Sequence, residues 1–204
     1  MPCHGVGNPI PAGIRPSRHD RPVAVALARF SYEKQLDVMI RCFADATSTP
    51  DLAHWQLHIY GEGDLEPQLR ECIGGLDVGE RIQLMGKTDD VASVMEGASL
   101  NLLTSLYEGF GMTILEAAAA GIPSVVFDCS PGVRLLVGGG RGYLVRANDE
   151  AAYALQLRET LLDGGGRNLR GHRALNMALE YLPHRIVARM GEIVEAARDV
   201  ATRQ

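Results

Sequence analysis

Lysine is nearly missing from this 204-residue chain: of its 20 basic residues only two, Lys34 and Lys87, are lysine and the rest are arginine. The bias reads as one of genomic composition, yet both surviving lysines fall near glycine turns or strand ends. Positive charge is not in excess either. Against 25 acidic residues the net charge is −5, with no basic run, which argues against a nucleic-acid partner. No apolar run approaches the ~20 residues of a membrane-spanning helix. Met1-Pro2-Cys3-His4-Gly5 offers neither a basic region nor an apolar core, so no secretory leader is expected. Cys3, Cys42, Cys72 and Cys129 stand too far apart for a metal knuckle or a redox pair, and reduced thiols in a cytoplasm are the expectation. His4, His19, His54, His58, His172 and His184 are scattered without metal-ligand spacing, so packing or surface positions account for them. No metal site is expected.

What remains is ordinary for a globular domain. Hydrophobic content of 46% and charged content of 22% suit one domain with a real core. Residues 1–21 are rich in Pro, Gly and Arg without periodicity and read as a linker; residues 22–180 read as the main domain and 181–204 as a terminal helical unit. Buried-type strands are expected at Val23–Leu27, Trp55–Tyr60, Arg81–Gly86, Leu100–Thr104, Ser124–Phe127 and Gly142–Val145. Between them, Leu36, Met39, Ile40 and Phe43 mark one face of a helix. Further helices are expected at Leu65–Ile73, Asp89–Ala98 (capped by Asp89 or Asp90), Met112–Ala120, Glu150–Leu162 and Pro183–Arg203. Strand and helix alternate, and the strands are apolar enough to be covered on both faces. That predicts an α/β, Rossmann-like, doubly wound parallel sheet. Its ligand edge would lie at the carboxyl ends of the strands, where the turns Arg29–Lys34, Gly61–Asp64, Gly86–Lys87 and Ser105–Thr113 fall.

The most informative of these turns is Ser105-Leu106-Tyr107-Glu108-Gly109-Phe110-Gly111-Met112-Thr113-Ile114-Leu115-Glu116, continuing through Ala117–Ala120 to Gly121-Ile122-Pro123. It reads as strand, glycine turn, helix. The glycines let backbone approach a ligand, and the helix start offers unpaired N–H groups to an anion. Glu108 and Glu116 bracket the turn, seven residues lying between them. Amides for a phosphate and carboxylates for hydroxyls are what a sugar nucleotide requires.

Glu-Gly-Phe-Gly, with Leu-Glu-Ala-x-Ala-x-Gly-Ile-Pro after it, closely resembles the signature of the retaining family-4 glycosyltransferases of the GT-B fold. Asn8-Pro9-Ile10-Pro11 resembles the segment joining the two halves of those enzymes, so the likeness covers roughly residues 8–200. It implies the carboxy-terminal half, which binds the donor; the amino-terminal acceptor half would be missing or supplied by a partner chain. It also implies a UDP-sugar or GDP-sugar donor used without a metal, a role in polysaccharide or cell-envelope biosynthesis, and a cytoplasmic chain, either free or held at the inner membrane face through the missing half. Arg29 and Lys34 would grip the diphosphate, Glu108 the transferred sugar, and Glu116 the ribose. Gly109, Phe110, Gly111, Met112 and Thr113 would present amides to the distal phosphate and sugar, while Gly61, Gly63 and Lys87 would lie near the base. In the family the final helix often crosses back to the amino-terminal half. The stripe Ile186, Met190, Ile193 and Ala197 would here be exposed in part, or pair with a second copy as a homodimer.

Plainer accounts stand beside these. Arg29 and Lys34 could be solvated charges, although cations at a helix start oppose its dipole. Phe110 could be core, and Gly61 and Gly63 an ordinary strand-to-helix turn. Two other functions fit the same fold: a catalytically silent nucleotide-sugar-binding module, and a GT-B-fold sugar-nucleotide epimerase. The segment Asp128-Cys129-Ser130-Pro131-Gly132-Val133-Arg134 also departs from a family subgroup's pattern, with Val133 where proline is usual and Leu135 where glutamate is.

Overall fold

The computed structural model describes residues 7–11 and 13–202, with side chains through 198. Cys3, His4 and the expected end of the last helix at Arg203 lie outside the described residues. Six parallel strands form one sheet: β1 (Val23–Leu27), β2 (Gln56–Tyr60), β3 (Ile82–Gly86), β4 (Leu100–Leu103), β5 (Ser124–Phe127) and β6 (Tyr143–Val145). Their spatial order is β3-β2-β1-β4-β5-β6. The chain winds outward one way through β3, returns to the centre, and winds the other way from β4. Between β1 and β4 the direction reverses, and the connections that leave those two strands go to opposite faces of the sheet. A crevice at the carboxyl ends of those two strands is the expected ligand position in such sheets.

Helices cover both faces. On one lie α1 (Leu36–Ala46), α2 (Glu66–Gly74) and α6 (Glu150–Leu162). The stripe read from the sequence is what seats α1: Leu36, Met39, Ile40 and Phe43 are all within 3% of complete burial. Each such side chain contributes about 1.5–3 kcal/mol by leaving water. Asp149 caps α6 by accepting from the Ala152 amide at 3.1 Å, and Tyr153 crosses beneath the sheet to donate to the Val125 carbonyl at 2.8 Å. The other face carries α3 (Val91–Glu96), α4 (Met112–Ala119), α5 (Pro131–Val137) and α7 (Gly164–Ala178). Of the two candidate caps for α3, Asp90 accepts from the Ser93 amide.

Elements read from the sequence begin or end within two residues of the observed ones. Trp55, Arg81, Thr104 and Gly142 flank their strands instead of joining them. Two helices were not expected. Pro131-Gly132 and Gly164-Gly165-Gly166 look like breaks, but Ser130 accepts from the Val133 amide to start α5, and Asp163 accepts from the Gly166 amide to start α7. Within α7, Gly171 lies so close to α4 that a Cβ would run into the Gly121 carbonyl oxygen. The glycine that weakens this helix in isolation is what lets it pack.

The chain closes with α8 (Pro183–Thr202). Ile186 is buried at 2% exposure, whereas Val187, Met190 and Val194 stay about half exposed or more. Among the described residues no helix is long and apolar enough to cross a membrane.

Candidate functional site

All four chemically suggestive turns lie on one rim, at the carboxyl ends of β1 to β4. The β1–α1 connection is a short 3-10 turn, Tyr32–Lys34, ending at Gln35, which has φ 45° and hands the chain into α1. Thr104, just past β4, fixes that connection by donating to the carbonyls of Lys34 and Gln35 at 3.1 and 2.9 Å. The Leu106 amide adds a bond to the Glu33 carbonyl at 2.8 Å. The β1 and β4 turns are thus stitched together where the sheet order reverses.

This stitching brings Lys34 and Glu108, 74 residues apart, into contact: Lys34 Nζ lies 2.7 Å from Glu108 Oε1. Ser105 Oγ donates to the same oxygen at 2.8 Å. The Lys34 and Glu108 side chains are 19% and 15% exposed, so the pair is shielded from water without being sealed off. Ser105 itself is buried. The seryl hydroxyl is a member of the site that sequence reasoning quoted but gave no role. Its signal was its place three residues before Glu108.

Beyond Glu108 the chain turns through Gly109 and Phe110 to Gly111, which starts α4 with φ +85°, a conformation that favours glycine. The amides of Gly109, Phe110, Gly111, Met112 and Thr113 have no acceptor among the described residues. Five free donors beside the lysine make a strongly anion-seeking corner. Gly109 borders open space, whereas the Phe110 ring packs on Tyr181, centroids 5.7 Å apart. Its side chain belongs to the core and only its backbone faces the site. From behind, α5 supports the turn: a Cβ on Gly132 would come within 2.6 Å of the Gly109 carbonyl oxygen.

Glu116 lies on the second turn of α4 and, among the described residues, finds no cation or hydrogen-bond donor. Burial pushes its carboxyl up to about 7. Cys129, near Glu108, has its thiol raised chiefly by burial and then by the Glu108 charge, so it is a poor nucleophile.

The remaining candidates gather on the β1–β2–β3 side. An open groove of about 230 Å³ is lined by Arg29, Gly61 and Lys87 together with Tyr60, Glu62 and Thr88. Arg29 is 80% exposed and reaches Glu33 only at 3.5 Å, leaving its guanidinium available. Lys87 stands 3.8 Å from Glu62. Gly61, at φ +146°, and Gly63 press against the carbonyls of Ala28 and Phe30, where a Cβ would collide. Packing under the β1 turn therefore accounts for both glycines, of which Gly61 also lines the groove and Gly63 does not. Tyr60, Glu62 and Thr88 went unremarked in the sequence; Tyr60 could have been found as the last residue of a strand at the ligand edge. Among the described residues no cluster of His, Cys, Asp and Glu could hold a metal ion.

The family model for group 1 glycosyl transferases matches residues 21–163. The chain belongs to that family. An exopolysaccharide phosphotransferase of Streptomyces coelicolor is 36% identical over 152 residues, covering 73% of this chain and 16% of that protein. The GtfA subunit of a UDP-N-acetylglucosamine–peptide N-acetylglucosaminyltransferase from Streptococcus gordonii is 28% identical over 184 residues, or 86% of this chain and 35% of that one. Among solved structures, a GtfA/B complex matches with TM-score 0.81 at 26% identity, covering 94% of this chain and 39% of the other. The pneumococcal O-GlcNAc transferase GtfA in complex with UDP and GlcNAc matches with TM-score 0.77 at 25% identity, covering 92% and 39%. This group 1 glycosyl transferase chain spans well under half the length of each of these proteins. The resemblance drawn from the signature holds at the level of family and fold.

Proposed function

We propose that the chain is the donor-binding half of a retaining glycosyltransferase, moving a hexose from a UDP-sugar or GDP-sugar to an acceptor. The observation that carries this reading is the corner where five unpartnered amides, Gly109 to Thr113, meet Lys34 and Glu108 at the reversal of strand order. A diphosphate would take the amides and the Lys34 ammonium, with the mobile Arg29 guanidinium closing over it. These groups stabilise the leaving diphosphate electrostatically as the bond to the sugar breaks, so the chemistry asks for positioning and charge and not for a metal. Glu108 orients the sugar through its hydroxyls and is not a nucleophile. Glu116, otherwise unpaired, accepts from the ribose hydroxyls. The groove lined by Gly61 and Lys87, with Gly63 next along the turn, takes the base. The acceptor would be held by an amino-terminal half or a partner chain, with the exposed side of α8 as the surface for it or for a second copy. The matched GtfA/B complex supports the partner arrangement. The chain would work in the cytoplasm.

Calorimetric titration with UDP, GDP and ADP tests the reading. One diphosphate is expected to bind without divalent metal, and Lys34→Ala and Glu116→Ala are each expected to weaken it about tenfold or more. Absence of binding to a folded wild-type chain would overturn the proposal for this chain acting alone. Addition of an amino-terminal half in trans then tests whether the site is shared.

A further inference from the structure

The Glu108 carboxylate does two jobs with one atom. Its Oε1 accepts from both Lys34 Nζ and Ser105 Oγ, while Oε2 has no donor among the described residues. The two donors are not equivalent. Lys34 ends a four-carbon stem on a short turn and can move to a diphosphate arriving at the amides of Gly109 to Thr113. Ser105 cannot follow. It is buried at 3% exposure at the end of β4, with its neighbours tied across the rim on both sides, Thr104 to the Lys34 and Gln35 carbonyls and Leu106 to the Glu33 carbonyl.

We infer that Ser105 is a positioning residue for the sugar. When Lys34 shifts to the diphosphate, the Ser105 hydroxyl is the remaining internal donor to Glu108. It keeps Oε1 in place, so that Oε2 faces the donor sugar as a pre-oriented acceptor of its hydroxyl protons. The inference rests on the donor-site reading above and adds a residue and a division of labour to it. A carboxylate with neither donor would turn freely about its side-chain bonds. Ordering it on binding would then oppose the contact with the sugar.

The division of labour gives a discriminating measurement on the 204-residue chain. Wild type, Ser105→Ala and Ser105→Thr are titrated with UDP, GDP, UDP-glucose, UDP-N-acetylglucosamine and GDP-mannose. The sugar nucleotide bound most tightly by wild type is compared with its own bare diphosphate. Ser105→Ala is expected to weaken the sugar nucleotide about tenfold, since hydrogen bonds to charged groups are the stronger ones. It should leave the bare diphosphate within about twofold, and Ser105→Thr, which keeps the hydroxyl, should restore the difference. Equal weakening of both ligands would show a merely structural serine and overturn the inference, as would no weakening of either. A wild type that binds a sugar nucleotide no better than its diphosphate leaves no sugar contact to support, and also overturns it while sparing the diphosphate site. A folded wild type that binds no nucleotide removes both the inference and the reading beneath it.

Discussion

Glu116 and Glu108 share a motif but live in different electrostatic settings. Glu108 has a lysine and a serine as hydrogen-bond partners, whereas Glu116 has burial alone among the described residues, which raises its carboxyl from 4.5 to about 7. For an acid whose folded value is raised, the unfolded chain gives up its proton first. Between about pH 4.5 and 7 the folded chain therefore keeps a proton the unfolded chain has lost, and stability falls as pH rises through that window. Glu116→Gln is thus expected to stabilise the protein by about 1–3 kcal/mol at pH 8 and to be near neutral at pH 4.5, read from denaturant midpoints. A variant equally stable with wild type at both pH values would contradict the burial argument. Hydroxyl donors from a ribose would relieve the same stress, which gives the carboxylate a reason to remain unpaired until a ligand arrives.

At the scale of elements, legibility followed local signals. The α1 stripe, β1, β5 and α6 could be read directly, because the apolar residues that marked them are the ones the fold buries. Helices α5 and α7 could not. Pro131-Gly132 and the Gly164–Gly166 run carry low helix propensity, and the caps at Ser130 and Asp163 work only once the backbone has turned. Nor could the Lys34–Glu108 contact be read, since no local pattern links residues so far apart in sequence. The family resemblance named both residues, but only Thr104 and Leu106 explain why they meet. The α4–α7 contact gives an element-scale prediction. Gly171→Ala places a methyl against the Gly121 carbonyl and should destabilise the fold by about 2–4 kcal/mol despite alanine's better helix propensity. An unchanged midpoint in urea would mean that the two helices separate easily.

On the scale of the whole molecule, one sheet carries every candidate residue on one edge, with helices buried against both faces. A ligand at that edge bridges segments from β1 to α4, spanning much of the sequence. Binding there should stabilise the domain as a unit. At about a hundredfold excess over Kd the matched diphosphate is expected to add about 2.7 kcal/mol. That corresponds to a rise of about 5–10 °C in melting midpoint, measurable by calorimetry or fluorescence. A midpoint indifferent to every diphosphate would count against a site built across the rim. The alternating pattern made this architecture legible; the strand order was not, because hydrophobic periodicity says nothing about which strand neighbours which.

On the proposed donor-site reading, the Lys34–Glu108 pair would also bear on the end of a catalytic cycle. The Lys34 ammonium already has a carboxylate partner at 2.7 Å, an internal competitor for any phosphate that would bind there. An incoming sugar nucleotide would displace that competitor and then occupy the carboxylate with the sugar. Once the sugar had gone to the acceptor, the spent diphosphate would have to hold the lysine against a carboxylate that is free again. Product would then leave more readily than substrate, with one ion pair biasing the site toward turnover.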